Sequence, residues 1–152
     1  MAELVTIEEA LALVLGKAVA LRAQTVPLAA AAGRYLAESA QSATDLPPFP
    51  SSAMDGFAIR SADTPGSLEI VARIAAGSPA VTSLGRGEAM GIATGGVVPE
   101  GADAVSPIEN VVENANAVEI ASSVQPGSNV RPRGGDIRLG EEVVPEIGRA
   151  HV

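Results

Sequence analysis

At 152 residues, 47% hydrophobic and 18% charged, the chain suits one domain or two small ones around a packed core, not a disordered polymer. The absence of cysteine excludes disulfides and thiolate metal centres, and a net charge of −8 with no basic helical stripe argues against a nucleic-acid partner. No apolar run is long enough to span a membrane and Met1-Ala-Glu-Leu4 has no basic leader, so a cytoplasmic protein is expected.

Thr6-Ile-Glu-Glu9 has the form of a capping box, with the threonine oxygen toward the Glu9 amide and Glu9 reaching back. Ile7, Ala10, Leu11, Val14 and Leu15 then recur at the spacing of one buried helical face. Gly16 either ends this helix or is carried through into Lys17-Ala-Val-Ala20. Thr25-Val-Pro-Leu28 reads as a short strand, and the alanines at 29–32 with Gly33 as a close-packing segment without chemistry. Leu46-Pro-Pro-Phe-Pro50 is stiff, because each proline fixes φ and pushes its predecessor toward extended geometry. Ser51 and Ser52 follow with their hydroxyls. Asp55-Gly56 is then a turn signal in which glycine would supply a positive φ. Taken alone, an Asp-Gly pair between strands is more often a hairpin turn than a site.

From Phe57 the pattern is β. Phe57 to Arg60 alternates, and Leu68, Ile70, Ala72 and Ile74 alternate with Glu69, Val71 and Arg73 at a period of two. Val81 to Leu84 is a segment able to pair, and Met90 to Ala93 and Ala104 to Ile108 are further short strands. Breaks at Ala76-Gly-Ser-Pro79, Gly85-Arg-Gly87 and Thr94-Gly-Gly-Val-Val-Pro-Glu-Gly101 separate them. A hairpin is expected at Asn114-Ala-Asn116, between Val111-Val-Glu113 and Ala117-Val-Glu-Ile-Ala121. One amphipathic helix followed by short strands predicts a mostly β (α+β) fold, with a coiled sheet or a small barrel. Gly127-Ser-Asn-Val-Arg-Pro-Arg-Gly-Gly-Asp136 is the remaining unusual stretch. Arg131 and Arg133 are its local cationic cluster, and planar guanidinium groups suit phosphates and other oxyanions. The competing reading is surface arginines paired with nearby glutamates.

Taken in order, these stretches resemble the N-terminal half of the MoeA family of molybdopterin molybdenumtransferases, to which the gephyrin E domain also belongs. The resemblance is carried by Leu46-Pro-Pro-Phe49 with Ser52-Ala-Met-Asp-Gly-Phe-Ala-Ile-Arg60, by Ile92-Ala-Thr-Gly-Gly96 with Pro99-Glu-Gly-Ala-Asp-Ala-Val105 and Glu109, and by Asn129-Val-Arg-Pro-Arg-Gly-Gly-Asp-Ile137 with Gly140. Thr25-Val-Pro-Leu28 and Ala32-Gly-Arg-Tyr-Leu-Ala37 match the family's entry segment. The chain departs from the family at Gly135, where an acidic residue is usual, at Phe57, where tyrosine is common, at Pro50, and at Ser106-Pro107, where a valine pair often stands.

The resemblance implies coiled or bifurcated sheets in a discontinuous layout. Residues 1–44 with 137–152 would form an elongated domain, and residues 45–136 an inserted β-rich one. It further implies a homodimer whose cleft is completed by a MogA-like domain, for which no stretch here is a match. The reaction implied is transfer of molybdenum from molybdate to the dithiolene of adenylylated molybdopterin, with loss of AMP. The resemblance maps Asp55, Thr94, Arg131 and Asp136 onto the transfer site, with Ser52, Arg133 and Glu109 as substrate-binding candidates. Arg131 and Arg133 suit the oxyanions. Asp55 and Asp136 suit Mg2+ or another divalent cation, since hard cations prefer oxygen ligands. Thr94 can donate a hydroxyl hydrogen bond beside exposed amides. The single histidine, His151, is terminal, so histidine-based acid–base chemistry is not expected.

Overall fold

The computed structural model describes residues 5–19, 21–75, 77 and 81–146. Its backbone divides into two units, Met1–Ser39 with Pro145–Val152, and Ala40–Val144.

In the first unit Thr6 caps helix α1 (Ile7–Leu15). Both arms of the box form: the Glu9 amide donates to Thr6 Oγ1 at 3.2 Å, and the Thr6 amide donates to Glu9 Oε2 at 2.8 Å. Gly16 ends the helix in an ordinary right-handed conformation. The expected buried face is not buried: no residue of α1 is, and Ile7 and Val14 are 84% and 67% exposed. Helical spacing decides which residues share a face; it does not supply a surface to cover them. Nor is Thr25-Val-Pro-Leu28 a strand. Pro27 fixes φ at −58° and has no N–H for a ladder, and its carbonyl accepts from the Ala30 amide at 2.9 Å. That bond opens a 3-10 turn over Leu28–Ala30 in the alanine run.

The second unit is built from strands β1 (Ala40–Gln41), β2 (Ser51–Ser52), β3 (Gly56–Ile59), β4 (Gly66–Ile74), β5 (Glu88–Ile92), β6 (Ala104–Pro107), β7 (Val111–Asn114), β8 (Ala117–Ile120), β9 (Val130–Arg131) and β10 (Glu142–Val144). Six of them form one sheet in the order β6-β3-β5-β4-β8-β7, while β1 pairs with β10 and β2 with β9. All pairings are antiparallel except β4 with β5. The fold is thus mostly β, with one short α-helix among the described residues. The hairpin β7–β8 closes through Ala115-Asn116, because Asn114 pairs with Ala117.

Both faces of the sheet are covered. Phe57, Ile59, Leu68, Ala89 and Val118 pack together on one side, and Ala58, Met90, Ile92, Val105 and Leu84 on the other. Each buried Val, Ile, Leu or Phe contributes about 1.5–3 kcal/mol, so this sheet, not α1, carries the stability.

Strand β4 departs from its sequence pattern. Ile70 pairs with Ala89 and Ala72 with Met90, so Val71 is an extra residue and the register shifts there. Leu68 and Ile70 therefore join the first cluster, whereas Ala72 and Ile74 join the second. The shift also turns Arg73 to lie opposite Gly91, in the row shared with Phe57. Val81 to Leu84 forms no strand. Val81 is fully exposed, and only Leu84 is anchored, its amide donating to the Glu100 carbonyl at 2.7 Å. The break expected at Ala76-Gly-Ser-Pro79 lies, apart from Gly77, outside the described residues.

Candidate functional site

Residues 46–53 act as a rail to which two later loops are fastened. The Leu46 amide donates to Ile137 at 2.7 Å and its carbonyl accepts from Asp136 at 2.9 Å, while the Pro47 carbonyl accepts from Gly134 at 2.9 Å. Further along, Ser51 and Ser52 pair with Arg131 and Val130. On the other side Ser52 exchanges backbone bonds with Gly96 at 2.9 Å and Gly95 at 2.8 Å. Prolines with no N–H to satisfy and extended geometry leave these carbonyls free to bind neighbouring loops.

The rail ends at Asp55, which is exposed and not a hairpin turn, since β2 and β3 pair with different partners. Gly56 is not in a left-handed conformation. Its role is close approach: a Cβ there would stand 2.0 Å from the Ser106 carbonyl oxygen. Gly95, one residue after Thr94, does take a positive φ, of 78°. That turn aims Thr94 back at Asp55, whose Oδ1 accepts from the Thr94 amide at 2.6 Å and the Thr94 hydroxyl at 2.9 Å. The amide, then the hydroxyl, holds the Asp55 carboxyl below the usual aspartate range. Both bonds fall on Oδ1. Among the described residues no hydrogen bond reaches Oδ2.

Arg131 and Asp136 form an exposed ion pair, and Arg133 Nε donates to Asp45 Oδ2 at 2.7 Å. The partners of both arginines are therefore aspartates, not glutamates. Asp45 also accepts from the Leu139 amide at 2.9 Å; that bond first, and Arg133 second, lowers its pKa. Ser52 is buried, and its hydroxyl donates to the Met54 carbonyl at 2.5 Å and accepts from the Met54 amide at 3.3 Å, shaping the approach to Asp55. Glu109 is exposed in a 3-10 turn over Ile108–Asn110, next to Ile108, whose amide donates to the Asp55 carbonyl at 3.1 Å. Direct side-chain contact thus joins Asp55 with Thr94 and Arg131 with Asp136, and backbone bonding through β2 links the two loops. His151 lies outside the described residues.

Asp55 and Phe57 share a cleft of about 290 Å³ with Arg73, Gly91, Ile92 and Ile108. A larger cleft of about 490 Å³, beside Ser122, Ser123, Gln125 and Asn129, has no ionisable side chain among its lining residues. Of these two clefts the smaller one carries ionisable side chains, Asp55 and Arg73; Thr94, Arg131, Arg133 and Asp136 are not among its lining residues. Among the described residues no three Asp, Glu, His or Cys side chains are grouped to cage a metal. Asp136 is engaged by Arg131, so the joint Asp55–Asp136 ligand pair is not what the arrangement favours. Asp55, with Oδ2 open, fits a partly hydrated divalent ion that takes one protein carboxylate and completes its shell from waters and substrate oxygens.

The sequence model of the MoeA N-terminal region (domain I and II) matches residues 5–150. The chain belongs to this family. The molybdopterin molybdenumtransferase of Synechococcus elongatus is 33% identical over 129 residues, 80% of this chain and 32% of the relative. That of Staphylococcus epidermidis is 31% identical over 147 residues, 92% of this chain and 35% of the relative. The crystal structure of a molybdopterin biosynthesis MoeA protein from Pyrococcus horikoshii superposes with a TM-score of 0.83 at 33% identity, over 97% of this chain and 40% of that one. The chain spans about a third of the length of the curated relatives it matches. The motif segments that carry the MoeA resemblance are the ones the rail stitches together. Three bonded or cleft-lining residues were not singled out from the sequence. Asp45 just precedes a motif segment, Asp103 lies inside one, and Arg73 belongs to none. Asp103 accepts from the Ser61 amide at 2.6 Å and the Ser61 hydroxyl at 2.7 Å.

Proposed function

We propose that this chain supplies the oxyanion-gripping part of a molybdopterin molybdenumtransferase site, at which molybdenum passes from molybdate to the dithiolene of adenylylated molybdopterin and AMP is released. The observation that carries the reading is the Asp55–Thr94 latch, an exposed carboxylate held ionised on loops that β2 ties to the strand bearing Arg131. Thr94 fixes the orientation of Asp55, and Oδ2 accepts a substrate donor or lends one oxygen to Mg2+ or a similar ion. When bound, that ion neutralises substrate oxyanions. Asp136 and Asp45 orient Arg131 and Arg133, exposed arginines whose remaining N–H groups can bind the same oxyanions. Ser52 contributes through the turn it shapes, and Glu109 borders the same segment. The discontinuous layout of residues 1–44 with 137–152 around 45–136, a homodimer, a MogA-like domain completing the cleft and a cytoplasmic setting belong to this reading.

A reconstitution with molybdate, adenylylated molybdopterin and a separately supplied MogA-like domain tests it. Active cofactor should form, and Asp55→Asn should abolish its formation while the protein still unfolds cooperatively in urea with the m-value of the parent. Wild-type turnover by the Asp55→Asn protein would overturn the assignment. A second reading, a dimerisation and oxyanion-presenting module without turnover, is favoured by the exposed apolar residues of α1. That module needs the separate MogA-like domain for activity, so it predicts self-association and no cofactor formation when that domain is left out.

A further inference from the structure

Arg73 is the one cation in the Asp55 cleft, and the motifs do not include it. The extra residue at Val71 places it opposite Gly91, which is itself opposite Phe57. Gly91 has no side chain, so the arginine lies flat across it: a Cβ at Gly91 would stand 3.1 Å from both Arg73 Cγ and NH1. The guanidinium carbon is 5.8 Å from the centre of the Phe57 ring, two residues from Asp55. NH2 is paired with Glu113. The group is therefore fixed from the NH2 end, while NH1 rests over a residue that lines the cleft.

We propose that Arg73 is the anion-binding end of this cleft and holds a tetrahedral oxyanion, a phosphate or a molybdate, through the NH1 edge of its guanidinium. A free surface arginine would have to be immobilised on binding. This one is already ordered by Glu113, the Phe57 ring and the gap at Gly91, so less rotamer freedom is lost. The other walls, including Ile74, Ile92 and Ile108, are apolar, so Arg73 is the hydrogen-bond donor side chain among the lining residues. Asp55, in the same lining, repels a bare anion. The ligand thus presents its oxyanion to Arg73 and a hydrogen-bond donor, or an accompanying divalent ion, to Asp55. Which oxyanion enters rests on the transferase reading; the geometry of the cleft does not.

The test is an NMR titration of this chain, following the Arg73 Nε–H and the Gly91 amide. Inorganic phosphate, AMP and molybdate are added separately, against chloride at matched ionic strength. Saturable shifts are expected for at least one oxyanion, and the one that saturates first names the source. Arg73→Ala should weaken that binding about tenfold or more. Gly91→Ala keeps the charge but pushes the guanidinium out of place, and should weaken it as well. Glu113→Gln, which removes the carboxylate that holds NH2, should loosen the guanidinium and weaken binding, though less than Arg73→Ala does. Shifts equal to those from chloride, or saturation that persists in Arg73→Ala, would overturn the proposal. In the full transfer reaction, an Arg73→Ala protein with unchanged KM removes this inference and leaves the transferase reading standing. Arg73-dependent binding without any transfer does the reverse.

Discussion

Two donors of one residue, the amide and hydroxyl of Thr94, share a single oxygen of Asp55, and they can be separated. Thr94→Val deletes the hydroxyl and keeps the amide, the larger cause of the lowered pKa. The Asp55 pKa should rise in that variant yet stay below that of an ordinary aspartate, as read by a carbon-detected NMR titration. An unchanged value would mean that the hydroxyl contributes nothing. Gly56 is limited by space instead. Gly56→Ala drives a methyl group toward the Ser106 carbonyl at 2.0 Å, between two paired strands. Overpacking costs about 1–3 kcal/mol, and backbone yields less readily than side chains, so urea denaturation should show a loss near about 3 kcal/mol. A loss below about 1 kcal/mol would show that β3 and β6 part easily. The Asp55-Gly56 pair was legible in the sequence as unusual, but the reason for its glycine was not, because the neighbour that crowds it is far along the chain. Asp45 escaped for the same cause: the residues it binds are 88 and 94 positions away.

Among elements, strands and turns followed the sequence where the signal was local. The alternation in β3 and the hairpin of β7 and β8 needed only their own residues. The irregularity in β4 did not show, because Leu68, Ile70, Ala72 and Ile74 alternate without interruption and only pairing with β5 reveals the extra Val71. Deleting Val71 would set Ile70 and Ala72 side by side against Ala89 and Met90 in regular register, with every later side chain on its present face. Such a variant should unfold cooperatively with the m-value of the parent. A broad, low-m transition would mean that the extra residue also sets a twist the sheet cannot lose. At Thr25-Val-Pro-Leu28 the apolar pattern suggested a strand, and Pro27 ahead of four alanines decided for a turn.

At the scale of the molecule, four aspartates among the described residues each accept a backbone N–H from a separate stretch of chain: Asp45 from Leu139, Asp55 from Thr94, Asp63 from Gly87 and Asp103 from Ser61. For Asp45 and Asp55 these bonds lower the pKa. A folded-state pKa below the unfolded one gives stability that is present above the unfolded value and lost as pH falls through the folded value. Denaturation midpoints should therefore drop as pH is lowered below about 4, where unfolded aspartates titrate. Asp45→Asn should flatten that drop, and an unchanged slope would assign the acid sensitivity elsewhere. The family was legible because four motifs stand in order; the aspartate ties were not, since an acceptor gives no sign of which distant amide it will meet. One further consequence lies in the pairing of β1 with β10. The second unit opens and closes with strands that are hydrogen-bonded to each other, so its entry and exit points are adjacent. Such a segment can be cut out of one chain or spliced into a loop of another without stretching either host. Expressed alone, residues 40–144 should unfold in a single transition, and a chain with no transition would show that its closure depends on the flanking residues. The same adjacency makes this part of the molecule a transplantable cassette, able to change hosts over evolutionary time while keeping its loops intact.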